Sequence, residues 1–153
     1  MINRMRTAAL ACLTLILSGT ALHAQRTPQS RTEAEVRRVV TGFAAALQSS
    51  DTARAMGYLH PELIVYEEGT AENREHYRAH HLPADMAFLA QVRPTAGRDQ
   101  LTVSGNMALY LREYRMIGTW RGKPVSSAGV ETMVLLNTPR GWKIRHIHWS
   151  SHD

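Results

Sequence analysis

The stretch Gly141-Trp142-Lys143-Ile144-Arg145-His146-Ile147-His148-Trp149-Ser150-Ser151-His152 decides how the rest of the chain is read. It follows a Pro139-Arg140-Gly141 turn signal and alternates aromatic or β-branched residues with polar ones, the pattern of a β-strand. Side chains on a strand repeat every two residues. Unbroken alternation therefore predicts that Trp142, Ile144, His146, His148 and Ser150 share one face, and that Lys143, Arg145, Ile147 and Trp149 share the other. Two imidazoles beyond a Trp and an Ile make the polar end of an apolar surface, which is how a pocket wall is built.

Working back from this strand, the chain is β-rich from Met86 on. Strands are expected at Ala87–Arg93, Gln100–Ser104, Met107–Trp120, Val125–Leu136 and Lys143–Trp149, with turns at Pro94-Thr95-Ala96-Gly97, Ser104-Gly105-Asn106 and Arg121-Gly122-Lys123-Pro124. Before them comes a polar helix, Glu72–His81, in which His76 and His80 fall on one face. Leu82-Pro83 breaks it. Leu63–Tyr66 reads as the first strand. Further upstream, Val36, Val39, Val40, Phe43 and Leu47 form one apolar stripe on a helix begun by a Thr32/Glu35 capping box. Asp51 caps a second, short helix that His60-Pro61 stops.

The start of the chain is read as a signal peptide over residues 1–24. Arg4 and Arg6 precede an apolar run, Ala8–Leu17, too short to span a bilayer, and small residues follow up to Ala24. Residues 25–31 are then a short polar linker and residues 32–153 one domain. This predicts a periplasmic or secreted protein with no membrane association after signal removal. The only cysteine, Cys12, leaves with the signal, so the domain has no disulfide and no thiolate chemistry. Loss of Arg4 and Arg6 lowers the formal charge of +5 to +3. No Lys/Arg block or aromatic-basic interleaving is present, so nucleic acid is not expected as a partner.

Helices followed by long antiparallel strands predict an α+β fold, with a strongly curved sheet wrapped round the N-terminal helices to form a conical pocket. The Val-Val-x-x-Phe stripe, the Ser49-Ser50-Asp51 break, a strand ending near Tyr66 and the final Gly-Trp-Lys-Ile-x-His-x-His-x-Ser strand occur together. Taken together they resemble the nuclear transport factor 2-like superfamily, in particular its exported SnoaL-like and ketosteroid-isomerase-like members. The resemblance spans nearly all of Thr32–Ser151. It implies a cystatin-like cone that dimerises through the outer face of its sheet. It implies no single activity, because the superfamily includes isomerases, dehydratases, hydrolases and members without chemistry.

Three functional readings follow from the residues. The first is a transition-metal site in the cone, with His80, His81, His146 and His148 as ligands. His76 is an alternative on the helix, and copper or zinc is the metal. The second is an acid–base lyase or isomerase needing no cofactor and acting on a small organic substrate. In it His148 moves a proton, Tyr66 (or Tyr110 or Tyr114) polarises a carbonyl, and Asp85 (or Glu67 or Glu131) orients an imidazole. The plainer reading of Glu131 is a structural pair with Arg112 or Arg115. The third is a non-catalytic, homodimeric binding module, with Ile147 and Trp149 on the covered outer face. The first and second readings imply a metal ion or a small-molecule ligand as partner.

Overall fold

A computed structural model describes residues 27–67 and 69–152. The expected signal peptide, residues 1–24, and the first linker residues lie outside the described residues. Helix α1 (Pro28–Gln48) starts four residues before the expected Thr32. Pro28 occupies the first turn, where its missing N–H costs nothing, and the Thr27 side chain accepts from the Ser30 N–H. The linker expected at 25–31 thus yields Pro28–Arg31 to the helix, and Thr32 lies inside it, donating to the Pro28 carbonyl. The apolar stripe is as expected: Val36, Val40, Phe43 and Leu47 are buried. Asp51 caps α2 (Thr52–Tyr58) by accepting from the Arg54 N–H.

Strand β1 (Leu59–Glu67) is followed by a short β2 (Thr70–Asn73), where a helix was expected to begin at Glu72. Asn73 then caps α3 (Arg74–His76), a π-helical turn spans Tyr77–His81, and α4 runs Leu82–Leu89. Pro83 opens α4 rather than ending a helix, again because a first-turn N–H has no partner to lose. The expected strand at Ala87–Arg93 therefore begins only at Val92.

Strands β3 (Val92–Ser104), β4 (Met107–Trp120), β5 (Lys123–Thr138) and β6 (Gly141–His152) complete one sheet of order β2-β1-β6-β5-β4-β3. All neighbours are antiparallel except β1 and β6. The turn expected at Pro94–Gly97 is an irregularity within β3, between Ala96 and Asp99. Gly97 sits there against the Glu113 carbonyl, which a Cβ would meet at 2.2 Å. The sheet is curved and unclosed, and α1, α2 and α4 fill its concave side.

The register of β6 changes at one point. Leu135 pairs with Ile144, but Val134 pairs with His146, so Arg145 is an extra residue on β6. A bulge of this kind shifts every later side chain to the opposite face. Trp142 and Ile144 point into the core, as do Ile147 and Trp149, and Ile144 and Ile147 have no exposed surface. His146 and His148 point out on the convex face. The single-face reading of this strand holds up to Ile144 and is inverted beyond it. Among the described residues, no helix is long and apolar enough to cross a membrane.

Candidate functional site

The bulge gives the cone its inner wall. From the sheet, Glu67, Arg112, Tyr114, Met116, Glu131 and Trp149 line a cavity of about 140 Å³, and Phe43, Leu47, Asp85 and Phe88 face them from the helices. Cross-strand pairing explains why the polar sheet residues meet. Arg112 pairs with Glu131 on β4 and β5, and Glu131 pairs with Trp149 on β5 and β6. Residues paired directly share a face.

Glu131 is 4% exposed. One of its oxygens, Oε2, accepts from Arg112 Nη2 at 3.2 Å and from Trp149 Nε1 at 2.7 Å. A buried carboxylate needs such partners, because its charge has lost water. Pairing with Arg112 was the plain expectation for Glu131; Arg115 lies on the convex face, paired with Ala128. Tyr114 lies flat across Gly129, where a Cβ would meet the ring at 2.5 Å, so glycine is required for the ring to reach this position. The Arg112 guanidinium stands 5.4 Å from the Tyr114 ring centroid. Burial pushes the Tyr114 phenol up to about 12, so it remains a neutral hydroxyl at pH 7.

Asp85 is a further carboxylate in the cavity wall. It sits on α4, and its Oδ2 accepts from the buried Tyr77 hydroxyl at 2.9 Å. Burial raises its pKa from 3.8 to about 6, against the opposing effects of the Tyr77 hydrogen bond and the His81 charge. Tyr77 is held neutral, far above its ordinary range, by burial and by Asp85. Behind them His81 Nδ1 lies 2.8 Å from Glu72 Oε1. Burial alone would lower the His81 pKa; the hydrogen bond and charge of Glu72, with Asp85 and Glu67, outweigh it and raise it.

Of the expected site residues, Asp85 lines the cavity, while Tyr66 and His148 stand outside it. Tyr66 pairs with His148 on the convex face and is 46% exposed. Its ring meets His146 and His148 edge-on at 5.1 and 6.5 Å. His146 donates through Nδ1 to the Ile64 carbonyl. The four histidines His80, His81, His146 and His148 do not converge. His81 approaches Glu72, which pairs with Val65 on the concave face, and Val65 pairs with Ile147 there as well. The sheet itself separates this group from His146 and His148. Among the described residues, no group of three or more His, Cys, Asp or Glu has a geometry that could hold a metal ion. Tyr110 donates to Asp99 and takes no part in the wall. Tyr77 and the inward position of Trp149 were not anticipated. Asp85, with Glu67, Tyr114 and Glu131 among the alternatives, is the part of the expected acid–base set that the wall brings together.

A SnoaL-like domain profile matches residues 36–153. The chain belongs to the SnoaL-like domain family. A proposed ketosteroid isomerase from Shewanella frigidimarina is 35% identical, with a TM-score of 0.74 over 78% of this chain and 97% of that one. A nuclear transport factor 2-like protein with a cystatin-like fold from Novosphingobium aromaticivorans is 15% identical, with a TM-score of 0.66 over 78% of this chain and 80% of that one. A proposed dehydratase of the same superfamily from Streptomyces avermitilis is 19% identical, with a TM-score of 0.65 over 81% and 97%. No curated protein matches the chain. The family and the cone fold expected from the sequence are thus established.

Proposed function

We propose that this SnoaL-like domain is an acid–base isomerase or lyase that moves a proton next to the carbonyl of a small organic substrate bound in the cone, with Asp85 as the proton carrier. The observation that carries this reading is Asp85 itself: a carboxylate in the cavity wall with a pKa near 6, able to take and return a proton close to neutrality. In this reading the Asp85 carboxylate removes a proton from the carbon beside the carbonyl. The negative charge that develops on the carbonyl oxygen is met by the neutral Tyr114 hydroxyl and by Arg112. Asp85 then returns the proton elsewhere on the substrate (isomerisation), or a leaving group departs (elimination). Glu131 and Trp149 hold Arg112 in the wall. Names given to two relatives, an isomerase and a dehydratase, agree with this class of chemistry.

The test is proton–deuterium exchange beside the carbonyl, followed by NMR over a panel of small cyclic ketones and enones. Catalysed exchange is expected with an inflection near pH 6, and Asp85→Asn is expected to lower its rate by roughly 10²–10⁴-fold. A rate unchanged in Asp85→Asn excludes Asp85 as the carrier, and no exchange with any member of the panel counts against the reading as a whole.

We also read the convex face of β4 and β5 as a homodimer surface. Met107, Leu109, Ile117 and Val130 expose between 38% and 53% of their area there. Large apolar side chains left exposed on one face of a sheet favour a partner. This replaces Ile147 and Trp149, which the bulge turns inward. Light scattering after size exclusion is expected to give a dimer, and Val130→Glu a monomer. Export is proposed from residues 1–24; N-terminal sequencing of secreted or periplasmic protein should begin at Gln25.

A further inference from the structure

Outside the cone, the segment before α4 brings two exposed imidazoles together. His76 ends α3 and His80 lies in the π-helical turn, and their ring centroids are 4.5 Å apart. Both are exposed. Two imidazoles bound to one metal at about 2 Å per nitrogen have centroids at a comparable separation. Behind them sits Glu72, whose side chain is 7% exposed. Its Oε1 lies 3.2 Å from His76 Nδ1 and 2.8 Å from His81 Nδ1. With Nδ1 of His76 turned toward this carboxylate, Nε2 is the ring nitrogen left to face an ion. Metal-binding histidines are commonly oriented in this way, with one ring nitrogen against a carboxylate and the other facing the ion. The second oxygen of Glu72 is buried without a hydrogen-bond partner among the described residues. Cationic charge added at His76 would offset that buried negative charge.

We propose that His76 and His80 form a surface site for a divalent transition metal, with Glu72 fixing the His76 ring behind it. The site is bidentate, and water completes the coordination. Imidazole ligands and affinity order favour copper(II) over nickel(II), with zinc(II) below copper. It lies outside the cone and apart from the convex-face histidines. Those histidines have the Tyr66 ring lying edge-on against both of them.

The experiment uses the untagged protein, stripped with chelator, in calorimetric titrations with copper(II), nickel(II) and zinc(II) at neutral pH. One metal per chain is expected, with copper binding tightest. His76→Ala and His80→Ala should each weaken copper binding by about 10²-fold, because one ligand of a chelating pair is lost. Both positions are exposed, so folding should survive; circular dichroism checks this. Glu72→Gln should weaken binding by about 10–100-fold at unchanged stoichiometry. His148→Ala and His146→Ala should leave binding unchanged. The proposal is overturned if copper binding is lost in those two variants instead, if it persists at full strength in His80→Ala, or if no saturable binding occurs up to millimolar metal.

Discussion

The two faces of β6 carry different kinds of residue and meet opposite fates. On the concave face Ile144, Ile147 and Trp149 close the core, and Trp149 donates to a buried carboxylate. On the convex face His146 and His148 lie beside the half-exposed Tyr66. An imidazole gains little from burial in an apolar wall, whereas an isoleucine or indole gains roughly 25 cal/mol per Å² of apolar area removed from water. Because Arg145 bulges out of the pairing with β5, both preferences are met on a single strand. The strand thereby puts its apolar side chains inside and its imidazoles outside.

Deleting Ile147, a core residue in the regular alternation beyond the bulge, is the severest way to break this comparison. His148 would take its inward place and Trp149 would turn outward. Loss of the cooperative thermal transition by circular dichroism is expected, whereas deleting Arg145 removes only the unpaired residue and should leave the faces as they are; a near-native melt for the Ile147 deletion would show that side-chain parity is not what sets the faces. Next in size is Glu131→Ala, which strands Arg112 and the Trp149 N–H in the wall. It should cost about 3–5 kcal/mol in urea denaturation. Ile147→Ala should cost about 2–5 kcal/mol, whereas His148→Ala on the other face should stay within about 0.5 kcal/mol. Equal losses for these two would erase the distinction between the faces.

Asp85 sharpens the comparison through pH. The native state keeps its proton up to about pH 6, while the unfolded chain releases it near 3.8. Between those values the native state binds more protons, so this group's stabilising contribution is complete below the lower value and is lost as pH rises through the higher one. The loss above pH 6 is at most about 3 kcal/mol. Asp85→Asn should therefore melt higher than the parent near pH 8 and flatten the pH dependence between about 4 and 6, even as exchange activity falls. Smallest is His81→Gln. The His81 charge lowers the Asp85 pKa, so its removal should move the activity inflection upward by a fraction of a unit. A downward move would contradict the assigned contact.

Local chemistry made much of the molecule legible. The α1 stripe, the Asp51 cap, the glycine-marked turns and the long strands depend on neighbours a few residues apart, and the family resemblance rests on the same patterns. Two helix starts differ from expectation because a proline fits a first turn: Pro28, expected in a linker, opens α1, and Pro83, expected to break a helix, opens α4. The candidate site was legible only in part. Glu131 and Arg112 were a foreseeable pair and Asp85 was named, but the Tyr77–Asp85 hydrogen bond joins residues whose meeting depends on a π-helical turn.

By itself, the amino-acid sequence determined an α+β cone of the SnoaL-like family, because side-chain periodicity and capping act over short range. Which groups enter the cone was settled only by tertiary structure. Alternation along β6 is a local property, but the bulge at Arg145 depends on how Leu135 and Val134 of a neighbouring strand pair across it. No rule of period two contains that information, since the burial it satisfies belongs to the packed sheet and not to the strand.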